Sequence, residues 1–327
     1  MDLKNELARR TTMFNTFWQQ YLSVGKPKTL YEAARHLPFA GGKRIRPFLT
    51  MVSCESVSGD SLKVLPFAAG LELMHNFTLV HDDIMDHSLL RRNLPTVHEK
   101  YGEPAAILSG DLLFAKSFEA VLDAAVDFET YKTLEKGFID CVIAICEGQQ
   151  QDMEFESRKT VSEHMYLDMI SKKTGALFEL SAKGGAIIGG GNEAEIVGLT
   201  TYGLALGLAF QIWDDYLDMS SDATTLGKDI GNDIRNGKKT LIAVHSLSHA
   251  TGTHKKLLDD IFGNRSASEE DVKKIYDLFR ELGSVEYARQ RAVQYTKEAK
   301  NAIDLLKPSD AKDLLHLLIE YTIQREK

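Results

Sequence analysis

The chain has 327 residues, of which 43% are hydrophobic, and it carries a formal net charge of −8 at pH 7. This acidic balance argues against a nucleic-acid-binding surface, because such a surface needs a basic stripe to neutralise phosphates. The three cysteines (Cys54, Cys141 and Cys146) lack metal-type spacing, and their odd number argues against a disulfide framework.

The amino-terminal segment contains acidic residues and no apolar core, so it does not read as a secretory signal. No apolar run approaches the roughly 18 residues that a membrane span requires. We therefore expect a cytoplasmic protein without a transmembrane segment and without a nucleic-acid partner.

Helical periodicity dominates the first third of the chain. In chain order, the predicted segments are a helix over residues 2–22, a short helix between Pro27 and Gly41–Gly42, a helix from Pro47, and a helix over Leu62–Asp86. Pro66 falls in the opening turns of the last of these, where proline is tolerated best.

The rest of the chain has the same helical character. Pro95 and Pro104 mark a loop and the next helix start, and helix-period patterns then fill the proline-free stretch from Ala105 to Lys307. Glycines at 189–191 and 227–237 interrupt it. The final helices are predicted over Glu269–Leu282, Ser284–Leu306 and Ala311–Gln324. No run alternates cleanly enough to be a strand, so one large all-α domain over residues 1–327 is expected.

One apolar helix carries a polar stripe that ends in the sequence HDDIMD. His75, Thr78, Asp82 and Asp86 have the spacing of residues that share one helix face. Asp82, Asp83 and Asp86 form a DDxxD trio of carboxylates. Bare carboxylates on an apolar element are costly unless cations meet them, so the trio is either a solvated helix end or a cation site.

The DDxxD pattern returns at Asp214, Asp215 and Asp218, again at the end of an apolar helix. Gly203 and Gly207 lie above it on the carboxylate face. Glycine inside a helix costs about 1 kcal/mol relative to alanine, so these two glycines either leave room for a ligand or allow close helix packing. Two such trios are hard to explain as two solvated faces.

The carboxylate spacing predicts magnesium. This ion prefers oxygen ligands, keeps several waters, and binds one or two carboxylates together with phosphate oxygens. Asp82 with Asp86, and Asp214 with Asp218, each place two carboxylates one helical turn apart. No cluster of cysteines and histidines suggests zinc. Two such pairs would hold metal ions between the protein and a polyphosphate.

Four basic clusters could bind the polyphosphate directly. They are Lys43 with Arg46, Arg91 with Arg92, Lys172 with Lys173, and Lys228 with Lys238. Each cluster alone would usually be a solvated face. Beside two carboxylate trios, the four together predict a pocket with two anion sites.

In order and spacing, these motifs resemble the trans-isoprenyl (polyprenyl) diphosphate synthases across essentially the whole chain. The matching segments are GGKRIRP at 41–47, LVHDDIMD at 79–86, RR at 91–92, EGQQQD at 147–152, KT at 173–174, FQIWDDYLD at 210–218 and GKDIGNDIRNGKK at 227–239. The likeness is greatest to the archaeal geranylgeranyl and farnesyl diphosphate synthases. It implies a single large helical bundle around a central cavity, the isoprenoid synthase fold, usually as a homodimer.

The resemblance also implies the chemistry. An allylic diphosphate ionises, C4 of isopentenyl diphosphate attacks the cation, and a proton is lost to the released diphosphate. By motif match, three magnesium ions would be ligated by Asp82, Asp86 and Asp214, with support from Asp83, Asp215 and Asp218. The diphosphate of the allylic substrate would be held by Arg91, Lys173 and Lys228. That of isopentenyl diphosphate would be held by Lys43, Arg46, His75 and Arg92.

The remaining motif residues receive supporting roles from the same resemblance. Thr174 and Gln211 would face the developing cation with oxygen dipoles. Gln149 and Asp152 would support the metal site from behind its ligands, and Lys238 would help to close it.

Residues near the first trio are expected to set the product length. In the family, short products often go with aromatic residues at the fourth and fifth positions before the trio, which are Thr78 and Phe77 here. Because Thr78 is small and lies one turn below Asp82, a C20 product, geranylgeranyl diphosphate, is favoured. Farnesyl diphosphate and longer chains are the alternatives. Phe77 and Phe114 are a candidate gate and floor, or else plain core residues.

Other readings of DDxxD are weaker. A terpene cyclase would not need GGKRIRP or the GKK loop, since it binds no isopentenyl diphosphate. A di-iron bundle requires paired Glu-x-x-His motifs, and Glu72–His75 is the one instance in the sequence. A non-catalytic subunit of a heteromeric prenyl synthase would be expected to lose a trio, and both are intact.

Overall fold

The computed structural model describes residues 2–23, 25–220 and 230–324. Its helices are α1 (Leu3–Trp18), α2 (Lys28–Phe39), α3 (Ile45–Ser56), α4 (Leu65–Met85), α5 (Val97–Tyr101), α6 (Glu103–Leu122), α7 (Phe128–Ser157), α8 (Glu163–Ile170), α9 (Ala176–Ile188), α10 (Glu193–Ser220), α11 (Ile230–Asn236), α12 (Leu241–His249), α13 (Gly252–Ile261), α14 (Glu269–Glu281), α15 (Ser284–Ala302) and α16 (Asp310–Gln324). A 3₁₀ turn, Gln19–Leu22, follows α1, and a π-helical turn, Ser171–Gly175, joins α8 to α9. The all-α prediction is confirmed.

Strand structure in the described residues is confined to one small hairpin. β1 (Leu90–Arg91) pairs antiparallel with β2 (Leu94–Pro95), so that Leu90 lies opposite Pro95. Arg92 and Asn93, with φ of 53° and 62°, form the connecting turn. Two-residue strands are too short to show an alternating pattern, which is why the sequence analysis did not predict them.

Contacts within the chain divide it into two compact units. The first comprises Met1–Phe138, Leu180–Thr200 and Leu305–Leu315, and the second comprises Ile139–Glu179, Thr201–Asp304 and His316–Lys327. The first carries the GGKRIRP loop, the first trio and the hairpin. The second carries the second trio and the GKK segment. Four of the five division points fall inside helices, and the fifth, between Asp304 and Leu305, falls in the connection from α15 to α16.

Helix α4 forms the centre of the first unit. Leu71, Leu73 and Met74 are fully buried, and burying a side chain of this size stabilises the fold by about 1.5–3 kcal/mol. Gly70 brings α4 close to α6, since a Cβ at this position would lie 2.7 Å from Val121. The helix that carries the first trio is therefore fixed by packing before its polar end begins.

Helix α10 plays the corresponding part in the second unit, where Ile212 is fully buried and Trp213 is 8% exposed. Over Glu193–Met219 this helix is long and apolar enough to cross a membrane by length and composition. The sequence expectation that no segment approaches that length was therefore wrong for α10. Within its apolar window, 61% is buried inside the protein, as in the core helix of a globular protein.

Candidate active site

The first trio divides its carboxylates between two directions. Asp83 is 1% exposed, and Arg91 donates from Nε to its Oδ1 at 2.7 Å. Burial raises the pKa of Asp83, and the charge of Arg91 works against that rise. Asp82 is half-buried and Asp86, at the C-cap of α4, is exposed. The inward Asp83 anchors the hairpin arginine, while the pair one turn apart lies on the more accessible side.

The second trio repeats this division. Asp215 is 8% exposed, and its Oδ2 accepts a hydrogen bond from the hydroxyl of Tyr166 at 2.7 Å. Gln211 donates from Nε2 to Asp215 Oδ1 at 3.1 Å. Burial raises the pKa of Asp215 to about 7. Asp214 is half-buried and Asp218 is exposed, so again the outer carboxylates form the accessible pair.

The carboxylate oxygens of the two trios suit a metal ion that binds together with a phosphate group. In residues 2–23, 25–220 and 230–324, no three His, Cys, Asp or Glu side chains come together as a ready-made metal cage. Each unit instead offers carboxylates one turn apart. Each also contains a buried acceptor without a hydrogen-bond donor, Asp83 Oδ2 in the first and Gln149 Oε1 in the second. Each of these acceptors can take a hydrogen bond from an ordered water.

The GGKRIRP loop is built on positive φ angles. Gly41 and Gly42 have φ of 99° and 140°, values that L side chains rarely adopt. Arg92 donates to the carbonyl oxygens of Gly41 and Leu37, and a Cβ at Gly42 would lie 3.2 Å from its guanidinium. Glycine therefore lets the hairpin arginine lie directly against the loop that carries Lys43, which is exposed.

His75 lies among the arginines of this loop and hairpin. It is half-buried, and burial followed by the charges of Arg46, Arg92 and Arg91 lowers the pKa of His75 well below its usual range. The ring is therefore neutral at pH 7. The structure thus brings His75 together with the two arginines, Arg46 and Arg92, with which the sequence analysis had grouped it.

The hairpin that carries Arg91 and Arg92 is fixed at its far strand. The ring Nε2 of His36, on α2, lies 2.8 Å from the carbonyl oxygen of Pro95. Two consecutive positive φ angles at its turn are typical of the tight hairpins that match strand twist. Arg91 turns toward Asp83 and Arg92 toward Gly41, so one short element serves both the trio and the loop.

In the second unit, the π-helical turn carries Lys173, a candidate diphosphate ligand, and Thr174, one of the two residues expected to face the cation. Such turns occur frequently at functional sites. Lys173 Nζ lies 2.5 Å from Asp152 Oδ2, and Thr174 donates to Gln211 Oε1 at 2.9 Å. A Cβ at Gly148 would lie 2.5 Å from the backbone nitrogen of Lys173. The glycine of EGQQQD is therefore needed for the turn to approach α7.

These contacts join into one polar network. Thr174 donates to Gln211, Gln211 donates to Asp215, and Asp215 accepts from Tyr166. The orientation of the Gln211 amide is thereby set, with its oxygen toward Thr174. A small cavity of about 40 Å³ adjoins the network. Its lining comprises Asp152, Tyr166, Met169, Ile170, Lys173, Thr174, Gln211, Asp215, Lys238, Lys239 and Thr240.

Five residues of this cavity were given no role by the sequence analysis. Tyr166, Met169 and Ile170 lie on α8 outside any quoted motif, and their only signal was a position on the apolar face. Thr240 and Lys239 are the other two. Lys239 is 5% exposed and donates from Nζ to the carbonyl oxygens of Gly237 at 2.8 Å and Glu156 at 3.2 Å. The adjacent Lys238 is half-buried. The sequence Lys-Lys gave no indication of which lysine turns inward.

One predicted anion ligand, Lys228, lies outside the described residues. Lys238, which was grouped with it, has its Nζ 3.9 Å from Asp233 Oδ1. Arg44 stands between Lys43 and Arg46 in the sequence and was given no role by the sequence analysis. It is buried in the structure.

The candidate chain-length residues lie in a row of aromatic rings. Phe77 and Phe114 have ring centroids 5.1 Å apart, and the row continues through Phe118 to Phe138 in steps of 5.1 Å. Phe77, Phe114 and Phe118 are half-buried, whereas Phe138 is fully buried. Thr78 donates its hydroxyl to the carbonyl of His75 at 2.8 Å. Phe118 is thus a further candidate that the sequence analysis missed.

The glycines above the second trio have a packing role. A Cβ at Gly207 would lie 2.9 Å from the Cα of Gly175 and 3.1 Å from the Cβ of Phe178. Close helix packing therefore accounts for Gly207, and the interpretation that this glycine leaves open space for a ligand was wrong. Gly203 is buried.

Comparison with known proteins identifies the chain's relatives. The family model for Polyprenyl synthetase matches residues 27–279. The chain belongs to the polyprenyl synthetase family. The predictions of this family and of a prenyltransferase are thus confirmed.

Individual polyprenyl synthetases match over nearly their whole length. The short chain isoprenyl diphosphate synthase of Methanothermobacter thermautotrophicus is 43% identical, covering 100% of this chain and 99% of the relative. The geranylgeranyl diphosphate synthase of Saccharolobus solfataricus is 45% identical over 92% of this chain and 91% of its own. The crystal structure of geranylgeranyl pyrophosphate synthetase from Pyrococcus horikoshii matches with a TM-score of 0.93 and 44% identity, covering 98% and 99% of the two chains.

Proposed function

We propose that this polyprenyl synthetase condenses isopentenyl diphosphate with allylic diphosphates and releases geranylgeranyl diphosphate. The observation that carries the proposal is the repeated division of the trios: in each DDxxD the middle carboxylate is anchored inward and the outer ones lie on the accessible side. Relatives named as geranylgeranyl diphosphate synthases support the C20 product.

Magnesium would be held by Asp82, Asp86 and Asp214, with three ions expected in each active site. When bound, the ions would neutralise the charge that develops on the departing diphosphate. Asp83 and Asp215 would act indirectly, through Arg91 and Tyr166. Asp218, which is exposed on α10, would assist Asp214.

The two substrates would use different cations. Lys43, Arg46, His75 and Arg92 would hold the diphosphate of isopentenyl diphosphate. A neutral His75 can donate one hydrogen bond to a phosphate oxygen without adding charge. Arg91, Lys173 and Lys228 would hold the allylic diphosphate. The ion pair of Lys173 with Asp152 keeps that lysine in place before substrate arrives.

The carbocation must meet the alkene before it meets water. Thr174 and Gln211, held together by their hydrogen bond, would turn oxygen dipoles toward the developing positive charge. C4 of isopentenyl diphosphate then forms the new bond to the allylic carbon, and the proton lost from the adduct goes to the released diphosphate. Lys238 would help to close the site.

Product analysis of the purified chain tests this function. With Mg²⁺, isopentenyl diphosphate and dimethylallyl, geranyl or farnesyl diphosphate as starter, we expect elongation that ends at C20. A chelator should abolish it. An absence of elongation with every starter would contradict the proposal and favour a non-catalytic subunit. A main product of C15 would favour farnesyl diphosphate synthase, and one beyond C20 a longer-chain enzyme.

We further propose that the chain forms one polyprenyl synthase domain and that the protein is cytoplasmic. We also propose that it is a homodimer. The dimer is expected from the family resemblance, and exposed apolar side chains on α6 and α7 are candidates for its interface. Ile107 and Leu108 on α6 are 41% and 56% exposed, and Ile139 and Ile143 on α7 are 39% and 51% exposed. Light scattering should give twice the mass of one 36.5 kDa chain. The mass of a single chain would contradict the dimer.

A further inference from the structure

Arg44 lies in the GGKRIRP loop, yet its side chain is only 3% exposed. Its Nη1 donates to Glu72 Oε1 at 2.5 Å and its Nη2 to the carbonyl oxygen of Pro38 at 2.6 Å. Its Nε donates to Asn15 Oδ1 at 3.2 Å, and its guanidinium lies 4.8 Å from the centre of the Trp18 ring. One side chain thus connects the loop to α1, α2 and α4.

The backbone of Arg44 is also unusual. It has φ of 49° and ψ of 40°, the left-handed conformation, at the N-cap of α3. A residue with a Cβ keeps this conformation only where its surroundings determine it. The buried contacts of the Arg44 side chain supply that determination. Since the turn separates Lys43 from Arg46, its geometry sets the direction of both side chains.

The same contacts reach the helix of the first trio. Glu72 lies on α4 one turn before His75, and Asn76 donates from Nδ2 to Glu72 Oε1 at 3.2 Å. One buried network therefore spans the loop that carries Arg46 and the stretch of α4 that carries His75. These are the two elements assigned above to isopentenyl diphosphate.

We propose that Arg44 is a positioning residue for isopentenyl diphosphate. Its ion pair with Glu72 holds the left-handed turn, so that Lys43 and Arg46 meet the diphosphate in register with His75. This inference rests on the proposed function, because it assigns the loop to that substrate.

The chemistry of arginine explains why this position needs it. A planar guanidinium directs five N–H donors along fixed directions and here serves three acceptors on three helices. A lysine could neutralise Glu72 but could not donate to all three at once. Removing one partner would leave a buried charge unpaired, so a clean test removes both.

The double variant R44M/E72M replaces the ion pair with apolar side chains of similar length. We expect it to fold, as judged by circular dichroism, and to raise KM for isopentenyl diphosphate about tenfold while KM for the allylic substrate stays within about twofold. Arg44→Lys should raise the same KM in the same direction, because the charge remains and the fork is lost. If the double variant does not fold, the KM of Arg44→Lys for isopentenyl diphosphate decides whether Arg44 is a positioning residue.

A matched control lies in the same unit. Arg10, whose side chain is 6% exposed, donates to Glu55 at 2.6 Å and joins α1 to the far end of α3. R10M/E55M should lower thermal stability yet leave KM for isopentenyl diphosphate within about twofold of wild type.

The outcomes separate the inference from the function beneath it. An unchanged KM for isopentenyl diphosphate in folded R44M/E72M or in Arg44→Lys, with an active wild type, would overturn the positioning role alone. An equal rise in R10M/E55M would also overturn it, since general loosening would then explain the effect. A wild type that never elongates isopentenyl diphosphate would overturn both the inference and the proposed function.

Discussion

The hydroxyl of Tyr166 donates to Asp215 at 2.7 Å and holds the middle carboxylate of the second trio inside the protein. Tyr166 lies on α8, the helix that leads directly into the π-helical turn with Lys173 and Thr174. A single hydrogen bond therefore links two segments that the proposed chemistry requires in register.

Loss of that hydroxyl should weaken metal use without unfolding the chain. A hydrogen bond to a charged group contributes about 1.5–3 kcal/mol, so Tyr166→Phe should lower kcat by about tenfold or more and raise the Mg²⁺ concentration for half-maximal activity. Titration of activity with Mg²⁺ measures both. The matched control is Tyr21→Phe, which removes another tyrosine–aspartate bond, to Asp123 at 2.9 Å. An equal effect of both substitutions would contradict the prediction.

Turnover should depend on the outer carboxylates of both trios. Asp82→Ala and Asp214→Ala each remove an oxygen ligand of the ions that stabilise the leaving diphosphate, so each should lower kcat by about 10³-fold. Circular dichroism should remain that of the helical wild type. Asp259→Ala, in an exposed pair with Lys255, is the control and should be silent. Near-normal turnover in either trio variant would defeat the metal assignment.

The two substrates should respond to different cations. Arg46→Ala should mainly raise KM for isopentenyl diphosphate, and Lys173→Ala should mainly raise KM for the allylic substrate, each by about tenfold, because each removes one charge-assisted phosphate contact. Lys228→Ala should behave like Lys173→Ala. Steady-state kinetics with one substrate varied at a time give the four constants. If each variant affected both substrates equally, separate anion sites would be ruled out.

Acid should destabilise the fold through His75. Its pKa is lowered in the folded protein, by burial first and by the arginines second. The unfolded chain therefore binds the proton first as pH falls below about 6.5, and the free energy of unfolding falls by at most about 1.4 kcal/mol per pH unit from that point. His75→Gln should reduce the fall in the free energy of unfolding between pH 7 and pH 5, as measured by urea denaturation. An identical pH dependence in wild type and variant would refute this.

Product length should follow the aromatic row. Thr78→Phe should shorten the main product from C20 to C15, because a ring there would fill space one turn below Asp82. Phe77→Ser should lengthen it beyond C20, because Phe77 contacts Phe114 at 5.1 Å. Chromatography of dephosphorylated products measures the shift. Phe279→Leu, in the core of the second unit, is the control. A distribution unchanged by both site variants would show that these residues are plain core.

Much of the fold was predictable because it depends on periodicity. The predicted helix Leu62–Asp86 corresponds to α4, Leu65–Met85, and the segment predicted over 2–22 corresponds to α1 and its 3₁₀ turn. Sequence spacing also placed Asp82 with Asp86. Spacing predicts which residues share a helix face, and this prediction holds for the two trios because they lie on the long helices α4 and α10.

Other features depend on contacts between distant segments. In the sequence, Glu72 was considered only as part of the single Glu-x-x-His motif, which does not suffice for a di-iron site. Its partner Arg44 lies 28 residues away. Gly207 was ambiguous until Gly175 was found against it. The π-helical turn could not be anticipated, since Ser171–Gly175 fits an ordinary helical pattern.

The π-helical turn has a consequence for how the chain tolerates change in length. A π turn is an α-helix that has accommodated one extra residue. Deleting a single residue from Ser171–Gly175 would restore regular winding and rotate Lys173 or Thr174 by about 100° relative to one flanking helix. The contact of Lys173 with Asp152 and that of Thr174 with Gln211 both depend on this rotation. Insertions and deletions should therefore be tolerated in the surface loops and excluded from these five residues.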